Sequence, residues 1–96
     1  MDFKTLYDVI FNGVDLEFKY NNKFYFINSG SIDDKHAITV YQSKESFYCG
    51  KSVKLAIIYE KINSDANANV LELCNEKLFS GKTLYQIYET ITDINY

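Results

Sequence analysis

The sequence contains no proline, no tryptophan and no arginine, so all ten basic residues among its 96 are lysines. Only four glycines are present, which excludes a collagen-like chain. The longest uninterrupted apolar run, Leu55 to Tyr59, is far shorter than the roughly 20 residues that a membrane-spanning helix needs. These absences leave a globular protein as the class to consider.

The composition is that of a folded domain. Apolar residues make up 47% of the sequence, including nine tyrosines and seven phenylalanines, and this content is too high for a disordered chain. A chain of this length buries roughly 65% of the surface that its unfolded form exposes, which allows one modest core. We therefore expect a single domain that spans residues 1–96.

The charge argues against a dedicated nucleic-acid binder. The consecutive aromatics Phe24, Tyr25 and Phe26 are reminiscent of base-stacking platforms, but such platforms come with a basic groove. Here the formal net charge is −3 and arginine is absent. We predict that these rings serve the core or a protein interface, with no direct contact to nucleic acid and no membrane partner.

The amino-acid composition and the amino terminus indicate a source and a compartment. Lysine, asparagine, isoleucine, tyrosine and phenylalanine, all encoded by AT-rich codons, account for 45 of the 96 residues, which indicates a low-GC bacterium or a phage or mobile element living in one. Met1 is not followed by a basic segment and an apolar segment, so no secretory signal is visible. We expect a cytoplasmic protein in which Cys49 and Cys74 are free thiols.

The amino-terminal third predicts a helix and a hairpin. Asp2 is placed to cap a helix that ends at Asn12-Gly13. Residues from Val14 to Asn28 alternate with period two around Asn21-Asn22, which suits a two-residue type I′ turn. With that turn, one face of the hairpin carries Leu16, Phe18, Tyr20, Tyr25 and Ile27, and the other carries Phe24 and Phe26 beside Glu17 and Lys19.

The middle of the chain is less regular. We predict a turn-rich loop from Asn28 to Asp34, a third strand from Ala37 to Gln42 and a short fourth strand from Ser46 to Cys49. Residues 52–62 fit a strand and a helix equally well, and the cap-like Ser52 before the apolar stripe favours a helix. Residues 63–69 resemble a polar linker.

The carboxyl-terminal third predicts two helices. The first begins at Asn69, continues through Leu78 and ends at Ser80-Gly81. The second begins with a capping box of Thr83 and Gln86 and continues to about Ile94. Its buried stripe is Leu84, Ile87, Tyr88, Ile91 and Ile94, and its outer face shows Tyr85, Glu89, Asp93 and Tyr96. Together these elements predict an α+β fold: a small antiparallel meander of three or four strands, one helix before it and two to three after it.

No catalytic motif or cofactor site is apparent. His36 is the only histidine, and we predict that it is a solvated loop residue. A small metal-binding regulatory protein that uses Asp34, His36 and Cys49 remains an alternative, although paired ligands at zinc-like spacing are missing. We therefore expect a non-enzymatic protein without a metal or cofactor.

Two segments carry a family resemblance. The hairpin Gly13–Tyr25 and the helix start Ser80–Ile87 resemble those of small phage and prophage proteins of low-GC bacteria. Members of that set with known roles are often inhibitors of host defence, including anti-CRISPR proteins. The resemblance implies a binder that inhibits a host defence protein, such as a CRISPR effector nuclease. A structural or dimerising accessory protein is the other alternative.

A candidate partner surface follows from charge. A protein without arginine and with net negative charge favours a basic partner site, such as the nucleic-acid channel of a nuclease. The predicted outer face of the last helix offers aromatics and carboxylates, which suit pairing and stacking with lysine or arginine. We accordingly predict that Tyr85, Glu89, Asp93 and Tyr96 contact the partner.

Overall fold

A computed structural model describes residues 1–46 and 54–96. The elements in chain order are α1 (Phe3–Phe11), β1 (Leu16–Tyr20), β2 (Lys23–Ile32), β3 (Lys35–Ser43), β4 (Ala56–Asn63), α2 (Ala66–Cys74), α3 (Leu84–Ile87) and β5 (Thr92–Asn95). The strands form one antiparallel sheet in the order β4-β3-β2-β1-β5. The predicted α+β class is confirmed, but the sheet has five strands rather than three or four.

The first helix and hairpin match the sequence predictions. Asp2 caps α1, its carboxylate accepting a hydrogen bond of 2.7 Å from the Thr5 amide. Asn21 and Asn22 adopt φ values of 51° and 62°, as a type I′ turn requires. The register pairs Tyr20 with Lys23 and continues to the pair of Leu16 with Ile27, as predicted.

The prediction of a loop from Asn28 to Asp34 is wrong. Strand β2 continues through Ile32, and the chain reverses at Asp33 and Asp34, whose φ values are again 51° and 62°. Aspartate tolerates the left-handed region nearly as well as asparagine, so a second tight turn forms there. The third strand consequently extends to Lys35–Ser43, beyond the predicted residues 37–42.

The helix predicted for residues 52–62 is also wrong, because β4 occupies Ala56–Asn63 and pairs with β3. Its isoleucines are β-branched and favour strands, and pairing with β3 satisfies the backbone without a helix. The Ser52 cap, and residues 47–49 of the predicted fourth strand, lie outside the described residues.

Helix α2 begins earlier than predicted. Asp65 is its N-cap, accepting a hydrogen bond of 3.1 Å from the Ala68 amide, so Asn69 lies within the helix and is buried. The helix ends at Cys74, and Ser80-Gly81 forms a separate turn with φ values of 54° and 78°. The predicted linker over residues 63–69 is therefore largely the end of a strand and the start of a helix.

The last helix, α3, has only one turn, whereas the sequence predicts a helix that continues to about Ile94. The Gln86 side chain accepts a hydrogen bond of 2.9 Å from the Thr83 amide, as in the predicted capping box. The chain leaves the helix because the amide and the hydroxyl of Thr90 both donate to the Ile87 carbonyl, at 2.8 and 2.9 Å. Residues 92–95 then form β5 against β1, which terminates the predicted helix well before Ile94.

The core lies between one face of the sheet and the three helices. Buried side chains of β1, β2 and β3 meet buried side chains of every helix in one contiguous cluster. Its aromatic centre is Phe79, whose ring lies 4.8 Å from that of Tyr25 and 5.6 Å from that of Phe18. The segment between α2 and α3 is thereby anchored to the first hairpin.

The turn assignment can be tested by substitution. Replacing Asn21 and Asn22 together by valine forces β-branched residues into left-handed backbone, at a cost of about 1–2 kcal/mol for each residue. We expect thermal unfolding to shift downward by roughly 10 °C or more. Glycine at both positions is the matched control, since it adopts positive φ freely, and an equal loss in that control would contradict the assignment.

Candidate binding surface

One face of the sheet, here called the outer face, carries no helix in the part of the chain that the structure describes. Residues that pair directly across neighbouring antiparallel strands share a face, so the register defines its members. They are Glu17, Lys19, Phe24, Phe26, Asn28, Gly30, Ile32, Lys35, Ala37, Thr39, Tyr41, Ser43, Ile57, Glu60, Ile62, Thr92 and Asn95. The buried strand residues of the core alternate with these positions and point to the helices.

Three isoleucines stand out on the outer face. Ile32, Ile57 and Ile62 are exposed to 51%, 56% and 49%. Ile57 pairs with Tyr41 and Ile62 pairs with Ala37. A β-bulge in β4 lies between these pairs, and it brings two residues five positions apart to the same face. Ile32 and Ile62 line one groove, whereas Ile57 is separated from Ile62 on this face by Glu60, which pairs with Thr39.

The far half of the outer face is covered rather than open. Phe26 is 7% exposed and Glu17 is fully buried. The Ser46 hydroxyl donates a hydrogen bond of 3.0 Å to Glu17 Oε2, and Asn95 Nδ2 approaches the same oxygen at 3.4 Å. The open part of the outer face therefore lies towards β4.

The structure separates the four residues predicted to contact a partner. Tyr85 is in α3, Glu89 follows that helix, and Asp93 and Tyr96 lie in or after β5. All four are exposed, but they do not line one helix face, because α3 ends at Ile87. As a single aromatic and acidic stripe, the predicted surface is not formed.

Two of these residues lie near the amino terminus. The Tyr85 ring stacks on Phe3 with centroids 4.8 Å apart. Glu89 accepts a hydrogen bond from Tyr88, which raises the pKa of the Tyr88 phenol. Glu89, Tyr88, Phe3 and Asp2 line one shallow depression. A small acidic and aromatic area thus remains at this end of the molecule.

His36 is not the solvated loop residue that the sequence predicted. It lies in β3 and is 9% exposed. Its Nε2 is 3.2 Å from the Ile10 carbonyl, and its Nδ1 is 3.0 Å from Asn69 Nδ2. Because the carbonyl only accepts and the amide nitrogen only donates, the tautomer with its proton on Nε2 satisfies both partners.

The hydrogen bonds of His36 join three elements. Asn69 Nδ2 also donates to the His36 carbonyl at 3.0 Å, which fixes the orientation of the amide. Ile10 belongs to α1 and Asn69 to α2, so the histidine ties both helices to the sheet. Both ring nitrogens are engaged, so a metal at His36 would have to displace one of these bonds.

The other members of the metal alternative are not assembled here. Asp34 is exposed in the turn between β2 and β3, and Cys49 lies outside the described residues. Among residues 1–46 and 54–96, no group of three or more histidine, cysteine, aspartate and glutamate side chains could hold a metal ion.

Cys74 is a free thiol buried in the core. Burial raises its pKa to about 12, because a thiolate there would lose its hydration. The thiol therefore stays protonated at neutral pH and is a poor nucleophile. It acts as a small apolar residue of the core.

The exposed isoleucines were missed by the sequence reasoning for two reasons. The sequence predicts a loop for residues 28–34 and a helix for residues 52–62. Neither prediction places Ile32, Ile57 or Ile62 on the face of a sheet. Alternation along β4 would have placed Ile57 and Ile62 on opposite faces, and only the bulge brings them together. The β-branched composition of residues 56–62 was the available signal for a strand.

In comparisons with known proteins, no protein-family model, no curated protein and no solved structure matches this chain. Within the described residues, none of the helices combines the length and the apolar character that crossing a bilayer demands. Arguments about function therefore depend on the surface itself.

The role of the buried amide can be measured. Replacing Asn69 by leucine leaves the Nδ1 atom and the carbonyl of His36 without their donor, at a cost of about 1–3 kcal/mol for each buried group. We expect the free energy of unfolding in urea to fall by at least 2 kcal/mol on that basis. Asn75→Leu, which removes an exposed amide at the end of α2, is the control, and equal losses in both variants would refute the structural role of Asn69.

Proposed function

We propose that this chain is a non-enzymatic inhibitor, encoded by a phage or mobile element, that binds a host defence protein. A CRISPR effector nuclease is the specific target that we propose. The observation that carries the binding role is the outer face, where Ile32, Ile57 and Ile62 are each about half exposed. The anti-defence assignment is supported by the resemblance of the hairpin and the final capped helix to small phage proteins.

The exposed isoleucines favour a protein partner. Exposed apolar surface costs free energy in water, and its burial returns roughly 25 cal/mol for each Å² removed from solvent. Ile32 and Ile62 line one groove, and a concentration of exposed apolar side chains in a monomer is typical of an interaction site. The open part of the outer face lies on β4 and on the end of β2, so a partner can approach it without displacing a helix.

The charge of the chain favours a basic partner. The net charge is −3, and acidic residues are exposed near both ends of the molecule, at Asp33 and Asp34 and at Glu89 and Asp93. Long-range attraction accelerates encounter with a positive surface and weakens as salt screens it. A nucleic-acid channel of a nuclease presents such a surface.

A structural role for the only histidine fits a non-enzymatic protein. Both ring nitrogens of His36 form hydrogen bonds that hold α1 and α2 to the sheet. The buried Cys74 thiol has a pKa raised to about 12 and is likewise unsuited to nucleophilic chemistry. In the part of the chain that the structure describes, the histidine and the cysteine are thus both used for structure.

A plaque assay tests the function. The chain is expressed in a low-GC bacterium whose CRISPR system targets a lytic phage, and we expect it to restore plaque formation. Ile57→Asp places a carboxylate in the apolar surface and should lower affinity about tenfold or more, the equivalent of 1.4 kcal/mol. Val14→Asp is the matched control, since Val14 is exposed to 41% outside the sheet.

Two comparisons show which surface of the chain binds the target. Equal activity of Ile57→Asp and the wild-type chain, at equal expression, would exclude the outer face. Reversing Glu89 and Asp93 to lysine together tests the acidic area, and we expect slower association that depends on salt. Failure of the wild-type chain to restore plaques against any effector type would refute the anti-defence function itself.

A further inference from the structure

Strand β4 forms one edge of the sheet and, among the described strands, pairs only with β3. None of its eight residues is buried. The strand at the other edge, β5, has four residues, and Asp93 within it adopts a φ of 52°. An exposed edge presents unpaired N–H and C=O groups, to which another strand can add. Of the two edges, β4 offers the longer run of extended backbone.

The turn between β2 and β3 sets the hydrogen-bonding pattern of this side of the sheet. The two-residue turn at Asp33-Asp34 makes Ile32 and Lys35 a hydrogen-bonded pair. Hydrogen-bonded pairs alternate with non-bonded pairs along an antiparallel ladder. The odd-numbered residues of β3 therefore bond to β2, and its even-numbered residues bond to β4.

The same alternation identifies the backbone groups of β4 that point outward. The even-numbered residues of β3 pair with Tyr59, Lys61 and Asn63, and these three residues therefore bond to β3. Glu60 and Ile62 lie between them, so they direct their N–H and C=O groups away from β3. Within residues 1–46 and 54–96, no turn or loop supplies a backbone partner to either of these two residues.

The second half of β4 lacks the features that usually protect an edge strand, which are proline, a bulge or a projecting lysine. Proline is absent from the chain. The bulge lies between Ile57 and Tyr59, and pairing with β3 is regular from Tyr59 to Asn63. Lys61 forms an ion pair of 3.4 Å with Glu72 of α2, which holds its ammonium group on the helical side. The edge at Glu60 and Ile62 is therefore open to another strand.

We propose that β4 adds an extended strand of a protein partner to the sheet, and that Glu60 and Ile62 supply the backbone hydrogen bonds. The inference rests on the proposed function and specifies how the partner is held. In strand addition, main-chain hydrogen bonds give affinity and the alternate side chains give specificity. Ile62 is 49% exposed on the outer face beside the edge, so an apolar side chain of the partner is expected opposite it.

A second copy of this chain is disfavoured as the occupant. Two copies of β4 that pair antiparallel are related by a two-fold axis, so one residue lies opposite itself. An axis at Glu60 or at Lys61 places like charges directly opposite each other, which is destabilising. An axis at Ile62 leaves Glu60 opposite Ser64, which lies outside β4, and an axis nearer the start of β4 meets the bulge. A strand of different sequence avoids these conflicts.

Hydrogen exchange of the isotope-labelled chain, followed by NMR during titration with a short peptide, tests the proposal. The probe is acetyl-Lys-Thr-Val-Thr-Val-Thr-Lys-amide, because threonine and valine favour strands. Without the probe, we expect fast exchange at the Glu60 and Ile62 amides and slow exchange at the Lys61 and Asn63 amides. With the probe at about ten times its Kd, exchange at Glu60 and Ile62 should slow about tenfold.

Two comparison peptides separate backbone pairing from docking of side chains. One carries N-methyl groups on alternate residues, which leaves one edge of the peptide able to form hydrogen bonds. The other carries N-methyl groups on every residue, which removes the donors from both edges while the side chains stay the same. We expect the first to bind as the probe does and the second to bind about tenfold or more weakly.

The decisive variant is Glu60→Pro, which removes an outward N–H group. Proline is tolerated on an edge strand where the N–H faces solvent, so the variant should fold, while its affinity for the probe should fall at least about tenfold. The matched control is Glu60→Val, which removes the same charge, keeps the N–H group and should bind the probe as the wild-type chain does. Lys61→Pro removes an inward N–H group instead and should unfold at a clearly lower temperature.

Several results would overturn the proposal. These are unchanged exchange at Glu60 and Ile62 with the probe, equal binding of the fully methylated peptide, or unchanged binding by Glu60→Pro. If Glu60→Pro does not fold, the methylated peptides decide alone. Exchange at these amides that slows with protein concentration, without any peptide, would identify a second copy as the occupant instead.

The plaque assay distinguishes failure of the proposal from failure of the proposed function. Probe binding at β4 without rescue of plaques by the wild-type chain would refute the anti-defence function while leaving the edge as a binding site. Rescue of plaques by Glu60→Pro equal to that by the wild-type chain would place the inhibitory surface elsewhere.

Discussion

Packing of all three helices on one face of the sheet is the constraint from which the other properties of this molecule follow. The contacts of Phe79 with Phe18 and Tyr25 anchor the segment between α2 and α3 to the first hairpin. The hydrogen bonds of His36 to Ile10 and Asn69 hold α1 and α2 to the opposite end of the same face. Within residues 1–46 and 54–96 the helices form one such layer, and the part of the second face towards β4 stays exposed.

That asymmetry explains why apolar residues remain exposed. A strand that pairs in the middle of a sheet alternates its side chains between two faces, so only half of them enter a one-sided core. Ile32, Ile57 and Ile62 are on the side without helices. The bulge in β4 brings Ile57 and Ile62 to this same side, and exposed apolar side chains there suit a protein partner.

Local signals in the sequence are sufficient to predict the elements whose conformation depends only on residues nearby in the chain. The Asp2 cap and the Asn21-Asn22 turn are set by side-chain oxygens and by tolerance of positive φ, and both are visible in single residues. Strand β4 was not predictable in this way, because its conformation depends on pairing with β3. The break after Ile87 and the strand β5 likewise depend on the edge offered by β1, and so the predicted stripe of Tyr85, Glu89, Asp93 and Tyr96 is not formed.

Use of the outer face for recognition is tested most directly by hydrogen exchange of the chain with and without the effector that we propose as its target. Binding through that face predicts slower exchange in β4 (Ala56–Asn63) and around Gly30, with unchanged exchange in α1 (Phe3–Phe11), which lies on the helical side. Slower exchange confined to α1 and the residues after α3, with β4 unaffected, would contradict recognition through the outer face.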